Sequence, residues 1–237
     1  MKKIFCLFFI VFQYTFIIGQ SEDYYIHFNK AYSKYSNKDL YGSVNEYSKY
    51  IEKNGSDPDA FFNRGIAYFD LHEYNKAVLD YDSALKLKPD YYQALFNRGN
   101  AKLYGGDFSG AVDDFTEFIK VFPDELKAYS NRAYCYNKLN KYEEAIADFD
   151  FLINADKDDI VTYFYRGITY DNMKEYNKAI KDFNHVLSLT PVFAEGFFER
   201  ALTKFSMLDF GGGCADLKKS SELGYERAAD MQKIFCK

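Results

Sequence analysis

Across residues 62–89, FNRGIAYFDLHEYNKAVLDYDSALKLKP, apolar side chains recur at steps of three and four in two runs that meet at His72-Glu73. That spacing lays them along one stripe of an α-helix, so the stretch predicts two amphipathic helices joined by a tight turn. Two residues break the pattern. Arg64 and Asp80 fall among positions that ought to pack, and Arg64 sits beside a glycine.

The pattern returns every 34 residues. Gly65 and Gly99 are one step apart and Gly167 lies two steps further; Pro89, Pro123 and Pro191 repeat that arrangement, and Ala77, Ala111, Ala145 and Ala179 keep the step without a gap. Counting from Pro58 gives frames 24–57, 58–91, 92–125, 126–159, 160–193 and 194–227, with no insertion. A period of this size marks an array of helix pairs, each burying its apolar face against its neighbours, and predicts an all-α fold. Position 8 of each frame is small (Ala31, Gly65, Gly99, Ala133, Gly167, Ala201), as is position 20 (Ser43, Ala77, Ala111, Ala145, Ala179, Gly213). Small residues let two helices approach closely. Position 24 is large and apolar (Tyr47, Tyr81, Phe115, Phe149, Phe183, Leu217), and proline at position 32 stops the second helix. Residues 228–237 continue the phase as a lone first helix that would cap the last frame.

Phe61, Arg64, Gly65 and Tyr68, followed by Ala77, Tyr81 and Pro89, resemble the tetratricopeptide repeat, and the resemblance extends over residues 24–227. It implies an α-solenoid of six helix pairs plus the capping helix, a right-handed superhelix whose first helices line a concave groove. Three departures stand out. Arginine or lysine occupies position 7, where the family carries leucine. The first frame lacks the glycine and proline. Gly211–Gly213 stand where the second helix of the last frame should begin, which predicts a loosened turn there.

Position 7 reads Lys30, Arg64, Arg98, Arg132, Arg166 and Arg200, and position 23 reads Glu46, Asp80, Asp114, Asp148, Asp182 and Asp216. A basic residue thus faces an acidic one sixteen residues later in every frame. A catalytic site is built once, from residues that converge from several elements, whereas a pair copied along an array belongs to the scaffold. The ladder is therefore read as structural ion pairs. The spacing leaves open whether each arginine grips its own frame's carboxylate or the preceding frame's.

Charge narrows the partner classes. Of the 30 basic side chains, residues 1–20 hold only Lys2 and Lys3, and they hold no acidic ones, so without them the net charge falls from −5 to −7. No basic run in the remainder exceeds two residues, which excludes the cationic footprint of a nucleic-acid binder. Residues 1–20 combine two lysines, an apolar stretch from Ile4 to Ile18 and a small Gly19. They read as a secretory signal peptide cleaved near Gly19-Gln20, the rival reading being an uncleaved anchor. Cys6 precedes most of the apolar stretch, unlike a lipoprotein cysteine. The processed chain is expected in the periplasm or secreted, with no membrane span.

No catalytic or metal constellation is present: His27, His72 and His185 lack cysteine or histidine partners at ligand spacing. The chain is read as a non-enzyme with no cofactor and no small-molecule substrate. Cys214 and Cys236 are centred on the turn at Leu223-Gly224-Tyr225, and export permits a disulfide between them; Cys135 is expected to be a buried thiol.

In the family, positions 2, 5, 9, 12 and 13 face the groove. The resemblance therefore implies a binding surface made of Tyr25, Phe28, Tyr32, Phe62, Phe69, Phe96, Asn100, Tyr134, Asn137, Phe164 and Phe198, some of which must fill the helix contacts instead. Such a trough suits an extended peptide or an apolar helix. Some members grip a chaperone's terminal carboxylate with a lysine at position 5; here that position is Phe28, Phe62, Phe96, Ser130, Phe164 and Phe198, so that activity is rejected. The leading expectation is an exported scaffold for protein or peptide segments. Two alternatives are a glycan or cell-wall module stacking tyrosines on sugar rings, against which the absence of Trp counts, and an accessory subunit of an envelope enzyme complex.

Overall fold

The computed structural model describes residues 25–236; the segment read as a leader lies outside them. Thirteen helices and no strand occur among the described residues: α1 (25–36), α2 (Leu40–Lys53), α3 (Pro58–Asp70), α4 (Tyr74–Leu87), α5 (Tyr92–Tyr104), α6 (Phe108–Val121), α7 (Leu126–Lys138), α8 (Tyr142–Ala155), α9 (Ile160–Asn172), α10 (Tyr176–Leu189), α11 (Ala194–Ser206), α12 (Phe210–Glu222) and α13 (Glu226–Phe235). None is long and apolar enough to cross a membrane. The chain divides into two compact units, residues 1–118 and 119–237, with the boundary in the last turn of α6. Each unit is a run of stacked helical hairpins, a segment of α-solenoid.

The turn inside each hairpin follows one rule. The fifteenth residue of every frame has positive φ: Lys38 at 64°, His72 at 60°, Gly106 at 86°, Asn140 at 57°, Lys174 at 61° and Leu208 at 63°. That left-handed residue lets the next amide reach back over the helix end, as Glu73 N–H donates to the Tyr68 carbonyl at 2.9 Å and Asp209 N–H to that of Lys204 at 2.9 Å. Three turns of this kind start the following helix with an aspartate cap, in which Asp39, Asp107 and Asp209 accept from the amides of Gly42, Gly110 and Gly212.

Close approach of the paired helices explains the small residues at position 8. A Cβ on Gly65 would meet the Tyr81 ring at 2.7 Å, and one on Gly167 would meet the Phe183 ring at 2.8 Å. The large residue at position 24 therefore lies over the small one at position 8, and both are buried. Burying such a ring contributes about 2–3 kcal/mol, which any side chain beneath it would erode.

Two expectations are corrected. Gly211–Gly213 do not loosen a turn; all three lie inside α12. Gly212 sits under the Asp209 cap, and Gly213 under Phe205, whose ring would be 2.7 Å from an added Cβ. The triplet is held helical by that cap and that packing. The last helix, expected at 228–237, instead begins two residues earlier at Glu226. Gly224, at φ 90°, ends α12 after 13 residues rather than the 14 of α2, α4, α6, α8 and α10. The shift brings Ala228 to the third helical position, the buried slot that Ala60, Ala94 and Ala128 fill in α3, α5 and α7. Cys214 of α12 and Cys236 after α13 are joined in a disulfide with their Cα atoms 5.6 Å apart, and Cys135 is a buried thiol outside that bond.

Candidate binding surface

The arginines at position 7 point across their own hairpins. In each of the five, Nε and one terminal nitrogen donate to both oxygens of the aspartate sixteen residues later. For Arg64 and Asp80 the distances are 2.8 and 2.7 Å, for Arg98 and Asp114 2.8 and 2.6 Å, and for Arg132 and Asp148 2.9 and 2.6 Å. Arg166 with Asp182 (2.8 and 2.8 Å) and Arg200 with Asp216 (2.8 and 2.6 Å) do the same. The parallel fork suits arginine's planar geometry and gives each contact a fixed orientation.

In Arg64, Arg98, Arg166 and Arg200 the remaining terminal nitrogen reaches back to the preceding frame. Nη1 of Arg64 donates to Ser48 Oγ at 2.9 Å, that of Arg98 to Asp82 at 2.7 Å, that of Arg166 to Asp150 at 2.6 Å and that of Arg200 to Asn184 at 2.6 Å. These acceptors lie sixteen residues before the arginine, so each of these four guanidinium groups ties its own hairpin to the one before. Flanking rings complete the setting. Arg64 lies over Phe61 and Tyr68, Arg132 over Tyr129 and Tyr136, and Arg166 over Tyr163 and Tyr170, at 5.2 to 5.9 Å from the centroids. Where lysine replaces the second ring, it adds a cation to the carboxylate instead, as Lys102 does for Asp114 at 2.9 Å and Lys204 for Asp216 at 2.7 Å. Burial opposes the charge on Arg98 and Arg166, but the hydrogen bonds and fields of their carboxylates outweigh it and raise both pKa values.

The first frame is built differently. Glu46 is buried, and its nearest partner is His27 Nδ1 at 2.6 Å, with Lys49 at 2.9 Å and Lys30 only at 3.7 Å. The His27 hydrogen bond, helped by both lysines against burial, holds the Glu46 carboxyl down at about 2. Of the other histidines, His72 Nδ1 lies 2.9 Å from the Tyr74 hydroxyl and His185 packs on Tyr163.

The residues expected in the groove divide into two kinds. Tyr25, Tyr32 and Tyr134 are exposed, at 53, 61 and 38 %. The phenylalanines at position 5 are drawn into ring contacts, three of them half-buried and two buried. Phe28 packs on Tyr47 and Tyr50, Phe62 on Tyr81 and Tyr91, and Phe96 on Phe115 and Phe118. Phe164 is buried against Phe183 and Phe193, and Phe198 is buried against Tyr225 with Arg227 over its ring. Position 5 lies one turn before position 8, on the stripe that faces the second helix, so its ring is drawn into that contact. Phe69 is half-buried between Tyr74 and Tyr104, Asn100 is half-buried, and Asn137 accepts from the Thr169 hydroxyl at 3.0 Å.

Each unit carries a cavity beside these helices. In residues 1–118, a shallow cleft of about 480 Å³ lies between the α3–α4 turn and the end of α5, against the stacked rings of Tyr74 and Tyr104. In residues 119–237, a smaller pocket of about 190 Å³ lies between the first turns of α9 and α11, lined by Ile160, Val161, Phe164, Tyr165 and Phe193 with Glu195 at its edge. No group of His, Cys, Asp and Glu among the described residues is placed to hold a metal ion.

Family models of the tetratricopeptide repeat match residues 58–91, 96–159 and 161–193, more than half of the chain between them. No curated protein matches. Among solved structures, the chain resembles the C-terminal part of a TPR repeat-containing protein from Cytophaga hutchinsonii (TM-score 0.69, 23 % identity, 83 % of this chain and 78 % of that one). It also resembles YrrB, a TPR protein with an unusual peptide-binding site (0.64, 20 %, 79 % and 97 %). A third similar structure is a tetratricopeptide repeat protein from Parabacteroides merdae ATCC 43184 (0.59, 22 %, 90 % and 84 %). At these identities the likeness is one of fold. With the period, the hairpin geometry and the three family matches in agreement, the chain belongs to the tetratricopeptide repeat family.

Proposed function

We propose that this protein is a non-enzymatic scaffold that holds segments of other proteins against the first helices of its hairpins. One observation carries the reading. The residues repeated in every frame are consumed by packing and by the arginine ladder, while Tyr25, Tyr32, Tyr104 and Tyr134, which vary between frames, remain 38 to 62 % exposed. Large aromatic surface left exposed by the fold is characteristic of contact sites, where tyrosine supplies area at low entropic cost. YrrB, of the same fold, has a peptide-binding site.

We further propose that the protein is exported, residues 1–20 being its leader. The disulfide between Cys214 and Cys236 supports this, since such bonds persist in oxidising compartments. The purified protein, offered a cell-envelope protein extract and isolated cell-wall polysaccharide in parallel, is expected to retain a defined protein partner. Retention of the polysaccharide alone overturns the reading in favour of a glycan-binding module.

A further inference from the structure

The pocket of about 190 Å³ in residues 119–237 has an apolar mouth and an acidic border. Val161 and Tyr165 are 57 and 41 % exposed at its rim, while Phe164 is buried at its base. The space accepts one aliphatic or aromatic side chain and no more. Because it opens beside the second residues of α9 and α11, an extended segment lying across those helices passes over it.

Three carboxylates continue from that pocket. Glu195 lines it; Glu199 follows one turn later on α11; Asp171, near the end of α9, acts on Glu199. Burial raises the pKa of Glu199, Glu195 and Asp171 add to the rise, and Arg227 alone opposes it. Arg227 is itself engaged over the ring of Phe198 at 4.9 Å. One oxygen of Asp171 is buried with no hydrogen-bond partner. The ladder carboxylates of the same helix pairs are different, because Asp182 and Asp216 each hold both oxygens against an arginine fork. Glu199 and Asp171 are half-buried and Glu195 is exposed, and like charges beside a half-buried carboxylate are costly unless an opposite charge joins them. The ladder supplies its own cations; this group has Arg227, shared with the Phe198 ring, and has room for a second cation from outside.

We propose that this surface binds a peptide segment in which an aliphatic or aromatic side chain fills the pocket and an adjacent lysine or arginine is held by Glu195, Glu199 and Asp171. The assignment rests on the scaffold reading above and names the chemistry of the segment. A basic-apolar motif also matches the sign of the whole chain, whose net charge is −5. Attraction between opposite charges would speed association and make it sensitive to salt.

The test is selection of short peptides from a random library on the purified protein, followed by titration of the selected peptides against variants. The selected peptides are expected to place Leu, Ile or Phe beside Lys or Arg, to bind less tightly as salt rises, and to lose about tenfold in affinity for Glu195→Gln with Glu199→Gln, as expected for paired rim charges. Val161→Asp, an exposed position that should leave folding intact, is expected to abolish binding. Neutral or acidic peptides that are lost on Val161→Asp yet indifferent to the carboxylate changes overturn the basic motif and leave the scaffold reading standing. An empty selection, or peptides indifferent to all three changes, counts against both.

Discussion

Asp182 and Asp216 are 3 and 5 % exposed, and each has its arginine across the hairpin. Such a pair is weak evidence of stability, because the attraction must first repay the loss of water around two ions. Its removal in halves is another matter. Arg166→Leu leaves Asp182 buried and uncompensated and strips Asp150 of its partner, and is expected to cost about 3–5 kcal/mol. The double change Arg166→Leu with Asp182→Leu is expected to cost much less in a urea titration; equal losses would show that packing around the arginine, rather than the orphaned charge, sets the penalty. The arginine–aspartate alternation was legible from sequence because both residue types repeat. Its second anchor was missed, although Ser48, Asp82, Asp150 and Asn184 stand at one frame position, because their side chains differ while their role as acceptors is the same. Counting sixteen backwards from each arginine as well as forwards would have found them.

At the level of elements, hairpin length and turn position were readable from the 34-residue step, since proline, small residues and large rings each mark a fixed place in the helix pair. The strain in the turns was not. The left-handed residue falls on Gly106 and Asn140, types that tolerate it, but also on Lys174 and Leu208, which do not. That conformation costs an ordinary residue about 1–2 kcal/mol. Glycine removes the cost and returns about 0.4–1 kcal/mol of it through a freer unfolded chain. Lys174→Gly and Leu208→Gly, both at exposed positions, are therefore each expected to stabilise by roughly 0.5–1 kcal/mol, the difference of those two terms. A raised thermal midpoint for both variants checks this, and a lowered one would mean that the side chains do more in the turn than occupy it. The glycine triplet was misread for a related reason. Glycine alone weakens a helix, but Gly212 and Gly213 are required by the Asp209 cap and the Phe205 ring that close over them. Those neighbours come from elsewhere in the fold pattern, so composition at 211–213 could not reveal them.

For the molecule as a whole, the repeat separates what builds the protein from what is left to act. The family resemblance placed positions 2, 5, 9, 12 and 13 on the groove side of each first helix, and it could not say where the boundary of the buried stripe falls. Of the rings at position 5, Phe164 and Phe198 lie inside it, Phe28, Phe62 and Phe96 lie half-buried at its edge, and Tyr32 lies outside. The binding reading consequently rests on exposed tyrosines rather than on phenylalanines. Within residues 1–118 it makes a sharp contrast between two sets of exposed residues. Tyr32 and Tyr104 stand on first helices at 61 and 62 % exposure, and Tyr41 and Leu79 on second helices at 71 and 66 %. The most direct measurement is partner capture by a Tyr32→Ser, Tyr104→Ser variant beside a Tyr41→Ser, Leu79→Ser variant, with the thermal midpoint recorded for each. Loss of the partner only from the first variant, with folding kept, is the expected result. Loss only from the second would place the contact on the second helices and contradict the proposed binding surface.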